Sequence, residues 1–428
     1  MSDRGQWLID LEKKPSGNIP DGLIPVDQYD RSGRPPEEIR MMEKAASYQA
    51  DFVFFEASQN GKAPVAQAFL FVSDVLDDAH FARLHQRLWS WGAVPLVYRK
   101  TRGLVQLFRC AHKPDFVSPD GEIVCRPIKT LAVSAAIAQH EGWWDAEQLR
   151  NGTLWDDPNV CKLMMSASKS AHKSLINAVK KLNQELNDES ILKRHLRRRL
   201  LILSLLIAYL EERGIFAANY FGQFLKGASR FFQVLGNGKA LVALLSDLEE
   251  RFNGHVFTLE DSDRVALAAS GQLSRFAHLV EAHEEVSGQL TLWQLYSFRD
   301  LPVELISHIY QQFVTENSAV YTPPFLVRLM LEEALSWDRM DRLEARGEII
   351  LDPACGSGVF LVEANKRLVL HWRSRNDWKR PRTADLKRLL KKVHGVDLEQ
   401  GAIELAAFSL CLALCDALEP EEIRSSIK

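Results

Sequence analysis

The sequence lacks a marked excess of charge of either sign. It has 53 Lys and Arg residues and 56 Asp and Glu residues, which leave a formal net charge of −3 over 428 residues. A chain that binds nucleic acid over most of its surface carries a strong positive charge, and this composition excludes that class. Any contact with DNA must therefore come from a local basic patch.

Cysteine is also scarce, and none of it falls in the spacing of a metal site. The six cysteines form no Cys-x-x-Cys pair and no Cys/His zinc pattern. We expect Cys411 and Cys415, which lie four residues apart on an apolar helix, to be buried thiols, and we expect no bound metal. A sequence without a disulfide framework is typical of a reducing compartment, which favours a cytoplasmic protein.

Long apolar segments are missing as well. The apolar stretch from Leu200 to Leu210 has 11 residues, whereas a helix needs about 20 to cross a bilayer. Residues 1–22 are polar and lack the apolar core of a signal peptide. These absences predict a soluble chain without a membrane partner.

What is present predicts an α/β protein with a large helical middle. With 46% hydrophobic residues, a chain of 428 residues can bury two or three cores. Residues 1–45, rich in Pro, Gly and charge, are predicted to form an extended arm, and residues 46–155 an N-terminal α/β module. Residues 156–314 have helical spacing and are predicted to form a helical domain, followed at 315–428 by a partial nucleotide-binding domain.

The N-terminal module raises the question of nuclease chemistry. Its pattern predicts strands at 51–55, 65–72, 94–98 and 104–109 and a helix at 78–91. Metal-dependent cleavage needs clustered carboxylates and a lysine, commonly an Asp followed by Glu-x-Lys on adjoining strands. Asp51, Glu56 and Lys62 lie in the right region, but no Glu-x-Lys falls on a strand. We therefore interpret these residues as surface and strand-end charges, with a degenerate nuclease-like module as the alternative.

The most informative stretch is Glu348 to Leu361. A short apolar run ends at Asp352, and open α/β sheets place ligands at the carboxyl ends of such strands. Gly356 and Gly358 permit a tight turn and close backbone approach to a ligand. Val359 and Phe360 then begin an amphipathic helix whose free N–H groups face the same crevice. Strand, acid, glycines and helix together predict a nucleotide-type pocket.

Two further motifs accompany this turn. Upstream is Val320-Tyr321-Thr322-Pro323-Pro324-Phe325, and downstream is Val393-His394-Gly395-Val396-Asp397-Leu398-Glu399. The three motifs in this order resemble those of N6-adenine DNA methyltransferases, and the chain from Asp51 onward is similar to type IIG-like restriction–modification methylases. The resemblance implies that residues 315–428 form the first half of a Rossmann-like methyltransferase domain with S-adenosylmethionine (SAM) as cofactor.

The resemblance also assigns residues to the cofactor. Those that match the motifs are Tyr321, Thr322, Pro323, Asp352, Ala354, Gly356, Gly358, Phe360, Asp397 and Leu398. It implies that Asp352 accepts from the methionine ammonium or a bound water and that Asp397 accepts from the ribose hydroxyls. Helix capping is the alternative role for both acids, and simple packing is the alternative for Tyr321 and Phe360.

Two basic clusters are candidates for DNA contact. For the first, Lys193 to Arg199, we expect a solvated helix face. The second combines Trp372 and Trp378 with five cations, an arrangement suited to phosphate contact and stacking. Its predicted DNA-binding residues are Arg373, Arg375, Lys379, Arg380 and Arg382. They lie in an insertion at about 371–390, which accounts for the 45 residues between Asp352 and Asp397.

One expected motif is absent. N6-adenine methylation requires acceptors that hold the amino group of a flipped base, which the family supplies in an Asn/Asp/Ser-Pro-Pro-Tyr/Phe segment downstream. The sequence contains no such segment, so we expect no catalytic residue here and no activity from this chain alone. The expected partners are double-stranded DNA and a C-terminal methylase half or a specificity subunit. The alternative function is a non-catalytic binding or assembly subunit of a defence complex.

Overall fold

The structure is a computed structural model in which the chain forms two compact units. It describes residues 6–13, 19–58, 62–73, 77–92, 94–110, 125–132, 146–164, 170–252, 256–282, 284–286, 290–305, 308–309, 322, 324–418 and 421–423. The first unit comprises residues 1–175, 285–290 and 294–300. The second comprises residues 176–284, 291–293 and 301–428. The predicted α/β class is confirmed.

The described strands and helices are numbered here in chain order. The strands are β1 (Leu23–Pro25), β2 (Phe52–Phe55), β3 (Ala66–Val72), β4 (Leu96–Lys100), β5 (Leu104–Arg109), β6 (Lys129–Ala132), β7 (Glu284–Val286), β8 (Leu290–Thr291), β9 (Ile350–Asp352) and β10 (Val393–Gly395). The helices before residue 300 are α1 (Gln6–Ile9), α2 (Pro36–Ser47), α3 (Asp78–Trp91), α4 (Ala146–Asn151), α5 (Pro158–Met164), α6 (Ala171–Asp188), α7 (Arg194–Glu212), α8 (Phe231–Leu235), α9 (Gly238–Phe252), α10 (Asp261–Ala268), α11 (Leu273–Ala282) and α12 (Leu292–Leu295). The later helices are α13 (Pro324–Ala334), α14 (Trp337–Arg346), α15 (Val359–Ser374), α16 (Thr383–Leu390) and α17 (Gln400–Ala417).

The first unit is built on a mixed sheet with strand order β1-β2-β3-β4-β5-β6. Only β3 and β4 pair in parallel, and α3 makes the connection between them. Strand β2 is buried on both faces, because Phe52 and Phe54 belong to one apolar core whereas Val53 and Phe55 belong to the other. The predicted strands at 51–55, 65–72, 94–98 and 104–109 are therefore present, with ends shifted by at most two residues.

Residues 1–45 differ from the predicted extended arm. Strand β1 pairs antiparallel with β2, and α2 occupies residues 36–47. Proline fits the first turn of a helix because its missing N–H would have no partner there. Ile39, Met42 and Ala45 then recur at helical spacing and are buried. Pro35 and Pro36 start a helix, whereas the prediction took them as a sign of irregular chain.

Helices dominate the first part of the second unit. Helix α7 is buried from Leu200 to Leu210. The basic cluster at its start is only partly the solvated face that the sequence suggests, because Lys193 and Arg194 are exposed but the arginines that follow are not. Arg197 is buried and donates to the carbonyls of Ile191 and Leu192 and to Asn187, and Arg199 donates to the carbonyl of Thr258. These guanidinium groups satisfy acceptors in the neighbouring turns.

A parallel two-stranded sheet, β9 and β10, lies in the last part of the second unit. One of its faces is covered, since Ile350 and Val393 pack with residues of α13, α14 and α15. The other face is bare among the described residues, because Ile349, Leu351 and Val396 are all more than half exposed. Parallel sheets are normally buried on both faces, so this face is an incomplete core.

Helix α17 is the one described helix long and apolar enough to cross a membrane by length and composition. Part of this helix packs within the second unit. Ala406 and Leu410 belong to the same apolar cluster as Leu361 of α15, and Phe408 contacts Phe257 edge to face.

Candidate cofactor site

The site is built where β9 and β10 end side by side. Asp352 is aligned with Gly395, and the N–H of Val396 donates to the carbonyl of Asp352 at 2.9 Å. Beyond the strands, the N–H of Cys355 donates to the carbonyl of Val396, also at 2.9 Å. The two chain segments therefore leave the sheet together. This arrangement brings the acids of two separate motifs, Asp352 and Asp397, to the same edge.

The turn after Asp352 depends on its glycines. Gly356 has φ of +51° and Gly358 has φ of +82°, in the left-handed region that costs other residues energy. A Cβ on Gly358 would also lie 2.8 Å from the Cβ and 2.9 Å from the Cα of Ala406. Gly358 thus allows α17 to approach the start of α15 closely. The N–H of Gly358 itself donates to the carbonyl of Cys355 at 2.8 Å and closes the turn.

Asp397 is tied directly to the glycine turn. Its Oδ2 accepts from the N–H of Gly356 at 2.8 Å, and its Oδ1 accepts from the N–H of Glu399 at 3.0 Å. The backbone N–H groups of Glu399 and Gly356 lower the pKa of Asp397 below its usual value. The carboxylate therefore stays ionised, and each oxygen keeps a second lone pair that can accept from a hydroxyl group.

Asp352 has more of its acceptor capacity free. Its Oδ1 accepts from the N–H of Ala354 at 3.1 Å, which makes an Asx turn. Within the described part of the chain, its Oδ2 has no hydrogen-bond partner. An ionised oxygen at the edge of the crevice is suited to an ammonium group. Neither acid caps a helix, because α15 and α17 have Gly358 and Glu399 at their N-caps without a side-chain cap hydrogen bond. Both acids accept instead from N–H groups of the turns before these helices.

The remaining predicted cofactor residues fall into three groups. Ala354 is exposed at the turn, and Leu398 is fully exposed directly after Asp397. Phe360 is partly buried and packs with the apolar residues around α15, as the packing alternative predicted. Thr322 is half-buried, while Tyr321 and Pro323 lie outside the described residues.

Two features of the site were missed by the sequence interpretation. A Cβ on Gly395 would lie 2.5 Å from Leu361 Cδ1 and 2.9 Å from Cys355 Sγ, so this glycine lets β10 approach the glycine turn. The second feature is a buried charge cluster on α15. Lys366 contacts Glu304 and also Glu363, where the distance is 3.1 Å. The sequence shows that residue 395 is a glycine, but it does not show the close approach of Leu361 and Cys355 that leaves no room for a Cβ there.

The charge cluster anchors α15 to the segment at 303–305. Glu304 and Glu363 are buried, and Asn365 beside them is also buried. Burial raises the pKa of Glu363, whereas Lys366 and the hydrogen bonds around Glu304 overcome the effect of burial and lower the pKa of Glu304. The position of α15, and with it the glycine turn, therefore depends on Lys366.

The predicted DNA-binding residues are largely engaged within the protein. Arg373 donates to the carbonyls of Trp378 and Lys379, and Arg375 donates to both oxygens of Asp341 at 2.6 Å. Lys379 lies 3.5 Å from Asp377 and Arg382 lies 3.7 Å from Asp385. Arg380 is exposed. Their role in DNA contact stays a prediction.

The residues weighed for nuclease chemistry are occupied in other ways. Asp51 accepts from the N–H of Val72 at 2.7 Å, and Glu56 accepts from Gln67 at 2.8 Å. Gln67 in turn accepts from the indole of Trp155 at 2.7 Å. The structure finds no group of three or more possible metal ligands among the residues that it describes.

Comparisons with known proteins bear on the last part of the chain. Residues 303–421 match the family model described as N-6 DNA Methylase. No curated protein matches the chain. Among solved structures, the chain is similar to one titled "cryoEM structure DrdV-DNA complex", with 15% sequence identity and a TM-score of 0.33. That likeness covers 90% of this chain and 37% of the other, so the chain spans less than half the length of that protein.

Proposed function

We propose that this chain binds SAM at the turn between β9 and α15 and serves as the cofactor-binding portion of a DNA adenine-N6 methyltransferase. The observation that carries the proposal is the hydrogen bond of 2.8 Å between Gly356 N–H and Asp397 Oδ2. It joins the glycine turn of one motif to the acid of another, within the part of the chain that matches the N-6 DNA Methylase model. Residues 41 positions apart in sequence thus form one small site.

The donor and acceptor set fits the cofactor. SAM carries an ammonium group and ribose hydroxyls, which need anionic or neutral oxygen acceptors. The free Oδ2 of Asp352 suits the ammonium group, and the remaining lone pairs of Asp397 suit the hydroxyls. Gly356 and Gly358 keep the floor of the site free of side chains. When bound, SAM would supply an activated methyl group for transfer.

Calorimetric titration of SAM into wild type and two Asp352 variants tests the proposal. Asp352→Asn keeps an oxygen that can accept from Ala354 N–H but removes the charge, and Asp352→Ala removes both. Loss of a charged hydrogen bond costs about 1.5–3 kcal/mol, so both variants should bind SAM about 10- to 100-fold more weakly. If Asp352→Asn binds SAM as tightly as wild type, the role of Asp352 is confined to the turn.

The proposed methyl transfer requires a partner in addition to this chain. The bare face of Leu351 and Val396 needs further strands and helices to become a core, and we assign these to a C-terminal methylase half or a specificity subunit. The same additional segment would hold the target adenine. Methylation of duplex DNA that appears only after such a half is added distinguishes this function from that of a non-catalytic assembly subunit.

A further inference from the structure

The structure changes which cations are available to DNA. Arg373 and Arg375 have partners of their own, since Arg373 donates to two carbonyls and Arg375 donates to the carboxylate of Asp341. A guanidinium group that already holds a carboxylate has lost part of its attraction for phosphate. After Arg382, the next cations along the chain are Lys387, Arg388, Lys391 and Lys392, which lie on α16 and just beyond it.

Helix α16 is amphipathic. Leu386 and Leu389 are buried, whereas Lys387, Arg388 and Lys391 are exposed on the opposite side. No carboxylate of a described residue lies within ion-pair distance of Lys387 or Lys391. Arg388 lies 3.8 Å from Asp385, which is beyond hydrogen-bond distance. The outer face of α16 therefore presents positive charge with little internal neutralisation.

The surrounding sequence strengthens this charge. Residues 379–392 include seven Lys or Arg residues and one Asp, although the chain as a whole has a net charge of −3. Such a segment raises the local potential and attracts a polyanion even when the remainder of the surface does not. Because the charges of the whole chain are nearly balanced, contact with DNA needs a local basic patch of this kind.

We infer that the outer face of α16, formed by Lys387, Arg388 and Lys391, docks on the sugar–phosphate backbone of double-stranded DNA. Lys387 and Lys391 are one helical turn apart, about 6 Å along the axis, which is comparable with the rise of two phosphates on one strand. Lysines bind phosphate as point charges and do not read bases, so the contact is independent of sequence. Lys391 lies six residues before Asp397, and the two residues flank opposite ends of strand β10.

This inference rests on the proposed function, because that function supplies DNA as the substrate. The test is fluorescence anisotropy of a labelled DNA duplex with the full chain at salt concentrations between about 50 and 200 mM. The variant is Lys387→Gln with Lys391→Gln. The matched control is Lys173→Gln with Lys180→Gln, which removes two exposed lysines from α6 and changes the net charge equally.

The expected result is a change in salt dependence. Each lost phosphate contact reduces the magnitude of the negative slope of log K against log salt by about 0.9. The slope of the α16 variant should therefore be shallower than that of wild type by about 1.8, whereas the control should keep the wild-type slope. Equal slopes for wild type and the α16 variant overturn the inference and leave SAM binding untouched. An equal reduction of the slope in the α16 variant and in the control would mean that binding depends on the net charge alone, and this result would also overturn the inference. Absence of DNA binding, or binding to anionic phospholipid vesicles alone, also overturns it.

Discussion

Replacement of Gly358 by alanine should destabilise the second unit more than the same change at another glycine with positive φ. Gly358 has φ of +82°, and an added Cβ would lie 2.9 Å from the backbone Cα of Ala406. Because the clashing atom belongs to the backbone of α17, relief requires movement of a whole helix. The glycine turn would then lose its contact with that helix.

The size of the effect has two parts. A left-handed conformation costs alanine about 1–2 kcal/mol. Overpacking a site that cannot relax adds about 1–3 kcal/mol. Gly347→Ala is the matched control, since Gly347 has φ of +66° but no atom within 4 Å of the added Cβ. The control should therefore show the conformational cost alone.

Urea unfolding monitored by circular dichroism measures both variants. Both glycines lie in the second unit, so both changes report on the same structure. We expect Gly358→Ala to lower the free energy of unfolding by about 2–5 kcal/mol and Gly347→Ala by about 1–2 kcal/mol. Equal losses would show that α17 does not pack tightly on the turn and would refute this reasoning.

Three further predictions follow from the same unit. Lys366→Met leaves buried Glu304 without its cation and Glu363 with only Arg328, at 3.8 Å, so it should cost about 3–5 kcal/mol of unfolding free energy, whereas Lys366→Arg should retain most of the stability. The loss should be larger at about pH 8 than at about pH 5, because protonation removes the uncompensated charge, and an equal or smaller loss at about pH 8 would contradict this. Amides of Ile350, Leu351 and Val396 should exchange hydrogen faster than those of residues 203–207 in α7, and equal protection would mean that the two-stranded sheet is self-sufficient. The chain alone should transfer no tritiated methyl group to adenine in DNA, and transfer that Asp397→Ala abolishes would contradict the expectation that this chain has no residues to hold the target base.

The elements that could be predicted from the sequence are those with a strong local pattern. Helix α3 was predicted with its observed bounds from its helical spacing of apolar residues, and the structure shows that Asp77 caps its first turn and Gly92 ends it in the left-handed region. The glycine turn was predicted because Gly356, Gly358 and Asp352 are neighbours in sequence. Nothing local revealed that Asp397 would accept from Gly356 N–H, since this contact depends on the parallel pairing of β9 with β10.

One misinterpretation has a clear physical cause. Arg197 and Arg199 were expected to lie on a solvated helix face, but guanidinium groups also satisfy carbonyls where helices end. Arg197 and Arg373 do so with acceptors five and six residues away. The exposed lysines of α16 became distinguishable only when those internal partners were known. The number of charged residues can be read from the sequence, whereas the fold decides which of them are already paired within the protein.

Hydrogen exchange with and without saturating SAM tests the central claim most directly. Binding at the proposed site should slow exchange at the amides of Ala354, Gly356 and Leu398, which surround Asp352 and Asp397. Exchange in strands β2 to β5 of the first unit should not change, which provides the internal control. Protection confined to this turn is the result we predict. No change at these amides, or protection that appears only elsewhere in the chain, would contradict the assignment of the SAM site.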